Sequence, residues 1–309
     1  MRIEIMKTTV IYHRADFDGI FCREIAKKFL PDAEFIGWDF ADKPLMTIHP
    51  GFNQKIYILD LPMDRPFGLD FRREPVPQWM DEIIWIDHHK SSIDSHPTDI
   101  PGYRIDGVAA CRLAWQWFTS WPLPPKEHFV ERLVNEPLAV RLAGEYDIWD
   151  KRDPRAELFQ HGLRSCDLDC WWPTLLQTPT PENQNGINTV NTMLNNGALL
   201  QFTAAEQNKY IITSYGFDFQ FEGLTFLACN HARYNSQLFT AGLKPHHQAC
   251  LGFKWTGKFW EFSLYHAPGH EDIDLSKIAI KYGGGGHKGA CGFRLQDLPD
   301  SLLGKDTHH

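Results

Sequence analysis

Along the first third of the chain, short apolar runs stop abruptly in acids and imidazoles. Residues 8–12 (Thr-Thr-Val-Ile-Tyr) run into His13, residues 56–59 (Ile-Tyr-Ile-Leu) into Asp60, and residues 83–86 (Ile-Ile-Trp-Ile) into Asp87-His88-His89. Short, unbroken runs of this kind read as strands buried within a sheet. An acid and two imidazoles at the mouth of such a strand are costly to bury without an ion or a polar partner. Taken alone, the tripeptide also reads as a turn cap followed by two partly exposed histidines. The recurrence of the same ending on other runs favours a shared polar site.

Between the strands the pattern turns helical. After Asp16, Asp18 and Gly19, the pairs Ile20-Phe21, Ile25-Ala26 and Phe29-Leu30 recur at helical spacing up to Pro31. Residues 34–38 read as a further strand, and 108–118 and 129–143 as helices, the second running into Asp147. Strands alternating with helices predict an α/β fold, a doubly wound, mainly parallel sheet over about residues 1–180. Ligands of such sheets bind outside the carboxyl ends of the strands. His13, Asp60 and Asp87 each hold that position on a different predicted strand.

Residues 177–186, rich in Thr, Pro, Asn and Gln, suggest a linker, and 187–210 a helix. Residues 181–210 are thus expected to connect the first domain to a second. From residue 211 the texture changes to short aromatic strands at 217–221, 224–229, 249–254 and 259–264, predicting a smaller α+β domain over 211–309. It closes with a short helix (276–282), the run Gly283-Gly284-Gly285-Gly286-His287, and a strand-like segment from Ala290.

Composition narrows the function classes. The chain has 309 residues, 43% hydrophobic and 23% charged, as expected of a globular protein. No apolar stretch approaches a membrane span, and Met1-Arg2-Ile3-Glu4-Ile5 lacks a signal-peptide profile, so a cytoplasmic protein without a membrane partner is expected. Seven scattered cysteines without a CxxC pair favour neither disulfides nor a thiolate zinc site. The net charge of -8 disfavours a track for long duplex nucleic acid but leaves room for a small anion beside metal ions. His246-His247, after Pro245, read as a solvated turn with no nearby carboxylate; tryptophans 115, 117, 121, 171 and 172 read as packing residues.

The candidate inventory at the sheet edge is His13, Asp16, Asp18, Asp60, Asp87, His88, His89 and Asp147. Imidazoles and carboxylates without cysteine suit Mn²⁺ first, with Mg²⁺, Co²⁺ or Fe²⁺ as alternatives. So many carboxylates repel one another unless cations gather them, and a pair of divalent ions about 3.5–4 Å apart can clamp an in-line displacement at phosphorus. With no activated Ser or Cys arrangement in view, water is the expected nucleophile. Four consecutive glycines carry a large ordering entropy but let backbone N–H groups approach an anion closely, with His287 beside them.

The ordered set His13-x-x-Asp16-x-Asp18-Gly19, Asp60, Asp87-His88-His89, Asp147 and GGGGH at 283–287 resembles the DHH phosphoesterase family. Within it, the set is similar to the branch with a DHH-associated C-terminal domain: nanoRNases, RecJ-like exonucleases and cyclic-dinucleotide phosphodiesterases. The resemblance spans nearly the whole chain. It implies that His13, Asp16 and Asp60 hold one metal, and that Asp18, Asp60, His88 and Asp147 hold the other, with Asp60 bridging. It further implies that Asp87 orients a neighbouring imidazole and that His89 faces the scissile phosphate. Gly284, Gly285, Gly286 and His287 would grip the substrate's terminal phosphate or sugar, with Asn230, Arg233 and Ser236 as further contacts. The serine-x-arginine pattern common before the glycine run reads Ser263-Leu264-Tyr265 here, removing one arginine fork. The implied activity is metal-dependent hydrolysis of a short oligonucleotide or a dinucleotide, with a homodimer left open. The rival readings are a phosphomonoesterase acting on a nucleotide bisphosphate and a sensor that binds nucleotides without turnover.

Overall fold

The computed structural model describes residues 7–45, 54–70, 83–96, 98–181 and 183–299. The chain divides into two compact units, Met1–Leu200 and Gln201–His309.

In the first unit, strands β1 (Lys7–His13), β2 (Glu34–Trp38), β3 (Gln54–Leu59), β4 (Ile83–Asp87) and β5 (Gly102–Arg104) form a wholly parallel sheet in the order β2-β1-β3-β4-β5. The sequence direction reverses between β1 and β3, the switch point at which an open α/β sheet leaves a crevice. Both faces of the sheet are buried. Val10, Tyr12, Tyr57, Leu59, Ile84 and Ile86 face one core, while Ile11, Ile56, Ile58, Ile83 and Trp85 face another. That two-residue alternation places apolar side chains on both sides of each central strand, which is why the strands read as unbroken apolar runs.

The helices of this unit are α1 (Phe17–Phe29), α2 (Lys90–Ser95), α3 (Ala110–Thr119), α4 (Lys126–Val130), α5 (Leu138–Asp147), α6 (Arg155–Leu163) and α7 (Trp172–Leu175). A long helix, α8 (Asn185–Tyr215), contains the division between the units. Helix α1 packs against α3 and α5 over the first core. The single helix expected over 129–143 is two helices, α4 and α5. Pro137 stands at the N-cap of α5, where its missing N–H is harmless, and it disfavours helical backbone at Glu136 before it. Strand β5 escapes sequence reading because it is three residues of Gly-Tyr-Arg at a sheet edge.

The second unit is a mixed sheet in the order β10-β11-β9-β8-β7-β6, built from β6 (Phe217–Phe221), β7 (Leu224–Asn230), β8 (Ala249–Trp255), β9 (Trp260–His266), β10 (Gly285–His287) and β11 (Ala290–Leu295). Only β7 and β8 pair in parallel. Glu222 and Gly223, both left-handed, close the β6–β7 hairpin as its twist requires. Phe219, Phe221, Phe226, Phe253, Phe262 and Phe293 fill the core against α9 (Ser276–Lys281), with Phe262 and Phe293 stacked at 4.8 Å. Among the described residues, no helix is long and apolar enough to cross a membrane.

Candidate metal centre

Every motif residue of the first unit arrives at the carboxyl end of the parallel sheet. His13 is the last residue of β1, Asp60 follows β3, Asp87 ends β4, and Asp147 ends α5. Asp16 is the N-cap of α1 and accepts the Gly19 amide at 3.0 Å. Gly19 is required for that approach: a Cβ there would stand 1.9 Å from the His13 carbonyl oxygen.

Asp60 is the hub. Its backbone is left-handed (φ 59°), a rare conformation for a residue with a side chain, while its amide donates to the Ile86 carbonyl at 2.9 Å. The carboxylate is 1% exposed and neither oxygen makes a hydrogen bond. The His13 Nδ1 lies 3.4 Å from one oxygen and the His88 Nε2 3.4 Å from the other. Donor groups form on both sides of this carboxylate. On one side His13 also meets Asp16 at 2.9 Å; on the other, His88 meets Asp18 at 3.5 Å and Asp147 at 3.4 Å. Ligand atoms of His13, Asp16 and Asp60, of Asp18, His88 and Asp147, and of Asp60, His88 and His89 lie close enough within each group to converge on one ion. A buried carboxylate with two unbonded oxygens and a histidine on each is donor chemistry that suits divalent cations.

Asp87 works through its neighbours. Fully buried, it accepts the His88 amide at 2.8 Å and the His89 amide at 3.3 Å, and pairs with the His89 Nδ1 at 2.7 Å. Asp87 therefore orients His89 rather than the ring of His88. Asp18 carries a second task that its sequence position gives no hint of. Its two oxygens accept the amides of Ala110 and Cys111, each at 2.8 Å, pinning the first turn of α3 to α1. The nearby Asp150 is engaged by Arg152 at 2.5 Å, leaving Asp147 as the acid of this segment in the cluster.

The protonation pattern expresses crowding. For both His13 and His88, burial alone would lower the pKa. The surrounding carboxylates outweigh it and raise each to about 10: Asp16 and Asp60 for His13, and Asp60, Asp18 and Asp147 for His88. Burial, then the charge of a neighbouring acid, holds Asp18 and Asp147 up at about 7. Without a cation, the cluster retains protons at neutral pH that a metal must displace. Binding Mn²⁺ is therefore expected to release at least about one proton per chain near pH 7, and affinity to rise as pH climbs toward the imidazole values. Calorimetry in two buffers of different ionisation enthalpy reads the proton count; a count of zero contradicts the ligand set.

In the second unit the glycine run does two jobs. Gly283 is left-handed (φ 76°); its amide donates to the Ile280 carbonyl and that of Gly284 to the Ala279 carbonyl at 2.8 Å, the paired bonds of a Schellman cap on α9. The amides of Gly283 and Gly284 are thus engaged at the helix end. Gly285, Gly286 and His287 form β10, paired with β11 and exposed. Asn230, Arg233 and Ser236 are also exposed, Asn230 at the end of β7 and Ser236 at the start of a 3-10 turn. A cavity of about 410 Å³ opens beside Ser263, Gly283, Gly284 and Arg294.

His246 and His247 are not a plain solvated turn. Asp218, on the edge strand β6, pairs with His246 Nε2 at 2.7 Å and His247 Nε2 at 3.0 Å. The Lys244 amide donates to the His247 Nδ1 at 2.9 Å, so the proton of the neutral ring sits on Nε2 and points at Asp218. That tautomer makes a hydrogen-bonded clasp and leaves His247 no lone pair for an ion. Sequence reasoning also missed the buried pair of His96 and Asp64 at 3.1 Å, which lie 32 positions apart in the chain.

No family model matches the chain, and no curated protein matches it by sequence. Among solved structures, it is similar to PggH, a pGpG-specific phosphodiesterase from Vibrio cholerae, at 14% identity over 97% of this chain and 96% of that one, with a TM-score of 0.49. It is similar to the DHH domain of a member of a family of ribosomal proteins at 12% identity, over 96% of this chain and 85% of that one, with a TM-score of 0.48. RecJ from Thermus thermophilus, in complex with Mn²⁺, aligns at 13% identity over 96% of this chain and 51% of that one, with a TM-score of 0.44. At such identities no residue role passes from one chain to another.

Proposed function

We propose that this chain is a DHH-type phosphodiesterase that hydrolyses a short oligonucleotide or a dinucleotide with two divalent ions, Mn²⁺ first. One observation carries the reading: the buried Asp60 carboxylate has no hydrogen bond on either oxygen and presents one oxygen to His13 and the other to His88. The order of the DHH motifs along the chain supports it. His13, Asp16 and Asp60 would hold one ion, and Asp18, Asp60, His88 and Asp147 the other. When bound, such ions neutralise charge at the phosphate and lower the pKa of water.

The protein's own residues supply position and hydrogen bonds. Asp87 commits the Nδ1 of His89 and raises its pKa by that hydrogen bond. With Nδ1 committed to Asp87, the Nε2 edge of the ring is the one left to face a phosphoryl oxygen, and a proton there would stabilise charge that develops in the transition state. Asp18, held by two amides of α3, fixes one wall of the cluster. For the second unit, substrate recognition falls to the exposed Gly285, Gly286, His287, Asn230, Arg233 and Ser236.

The test is incubation of the Mn²⁺-loaded chain with labelled dimers to 10-mers, cyclic dinucleotides and nucleotide bisphosphates. Cleavage of diesters of two to a few units supports the proposal. Release of phosphate from the bisphosphates alone would replace it with a phosphomonoesterase. Tight binding without any product would make the chain a nucleotide sensor.

A further inference from the structure

Beside the metal cluster, on the His89 side, lies a cavity of about 590 Å³ bounded among the described residues by Trp38, Phe40, Asp64, Ser91, Ser95 and His96. Phe40 stands at its lip with 55% of its surface exposed. A lone exposed phenylalanine is ordinary on a protein surface. This one differs because it is held in place and touches the site. Its ring meets His13 edge-on at 5.7 Å and Trp38 at 5.6 Å. Its amide donates to Asp39 at 2.7 Å, and Asp39 in turn lies 3.6 Å from the His13 Nε2.

The turn that carries Phe40 is closed on itself. The Asp39 amide donates to the Asp42 side chain at 2.9 Å, the Asp42 amide to the Asp39 carbonyl at 2.8 Å, and the Trp38 indole to the Lys43 carbonyl at 3.2 Å. Arg14 ties the same Asp42 at 2.8 Å. The exposed ring is therefore displayed by an ordered turn beside a proposed metal ligand.

The polar lining decides what the ring would face. His89, proposed to face the phosphate, lines one side of this cavity, so a phosphate held there leaves the rest of the lining to the group attached to it. The serine hydroxyls on that lining suit a flat neutral group bearing N–H donors. We propose that this cavity is a nucleobase subsite, with Phe40 as the stacking platform for the base attached to the scissile phosphate. The inference rests on the phosphodiesterase reading and adds where the base of the substrate goes. Base–aromatic stacking, lost on alanine substitution, is worth about tenfold or more in affinity.

The experiment is calorimetric binding of GMP, AMP and ribose 5-phosphate to the full-length, Mn²⁺-loaded chain, alongside Phe40→Ala and Phe40→Trp. The wild type should bind GMP or AMP at least about tenfold tighter than ribose 5-phosphate. Phe40→Ala should bring the nucleotide to within about twofold of ribose 5-phosphate without changing Mn²⁺ stoichiometry, and Phe40→Trp should retain the preference. Equal affinity of the wild type for nucleotide and ribose 5-phosphate overturns the base subsite and leaves the metal-centre reading standing. An equal loss of both ligands in Phe40→Ala does the same, since it assigns Phe40 to the phosphate end. Failure of the wild type to bind any of the three overturns both. The comparison of ligands on the wild type decides the matter even if Phe40→Ala does not fold.

Discussion

Asp60→Asn is expected to lower kcat/KM on the best short substrate by about 10³-fold or more, with the fold intact. The substitution keeps the volume and one oxygen, so it leaves packing alone. It removes the charge shared between His13 and His88, each 3.4 Å away. In the proposed centre both metal sets would lose a ligand at once, because Asp60 is assigned to each. The metal-induced rise in Tm, about 2.7 kcal/mol of stabilisation at a hundredfold excess over Kd, should shrink with it. Asp150→Asn is the matched control: that acid is engaged by Arg152 on an exposed surface, and its loss should change turnover less than about twofold. Equal losses in the two variants would remove Asp60 from the centre of the account.

The largest expected effect on stability lies one layer behind the site. Arg112, on α3, is buried and forks onto Glu136 at 3.0 and 3.1 Å from Nε and 2.5 Å from Nη2. Its guanidinium also lies over Phe129 at 5.2 Å. Burial pushes the Glu136 carboxyl up and wins over the pull of Arg112, a sign of how costly the charge is there. Arg112→Met should therefore cost about 3–5 kcal/mol, since it strands that acid in the interior. Thermal unfolding should show a Tm lower by about 10 °C or more. Arg112→Met combined with Glu136→Leu should recover most of the loss, because no unpaired charge is left. A double variant less stable than the single one would contradict this. The pair matters for function because α3 receives Asp18 at its first turn and the segment after Glu136 begins α5, which ends in Asp147.

The sheet was legible because parallel strands buried on both faces are unbroken apolar runs, and their carboxyl ends mark the crevice. His13, Asp60 and Asp87-His88-His89 could be read as one site for that reason. What could not be read lies in long-range pairings. Asp18 bonds amides more than ninety positions away, and Asp218 meets His246 and His247 from 28 and 29 positions away. No local pattern marks either. The glycine run was legible as unusual but not as divided, because a helix cap and a strand ask for the same residue type. Pro137 did carry a helix break, and the apolar periodicity around it hid that. Phe40 escaped notice because one aromatic in a polar turn has no pattern; its meaning comes from the ring contact with His13.

The central claim is a two-ion centre bridged by Asp60, and electron paramagnetic resonance of the full-length chain titrated with Mn²⁺ tests it most directly. About two ions per chain and an exchange-coupled spectrum, as for ions about 3.5–4 Å apart, are expected, with the coupling lost in Asp60→Asn. A single ion per chain, or only the uncoupled signal of isolated ions, would contradict it.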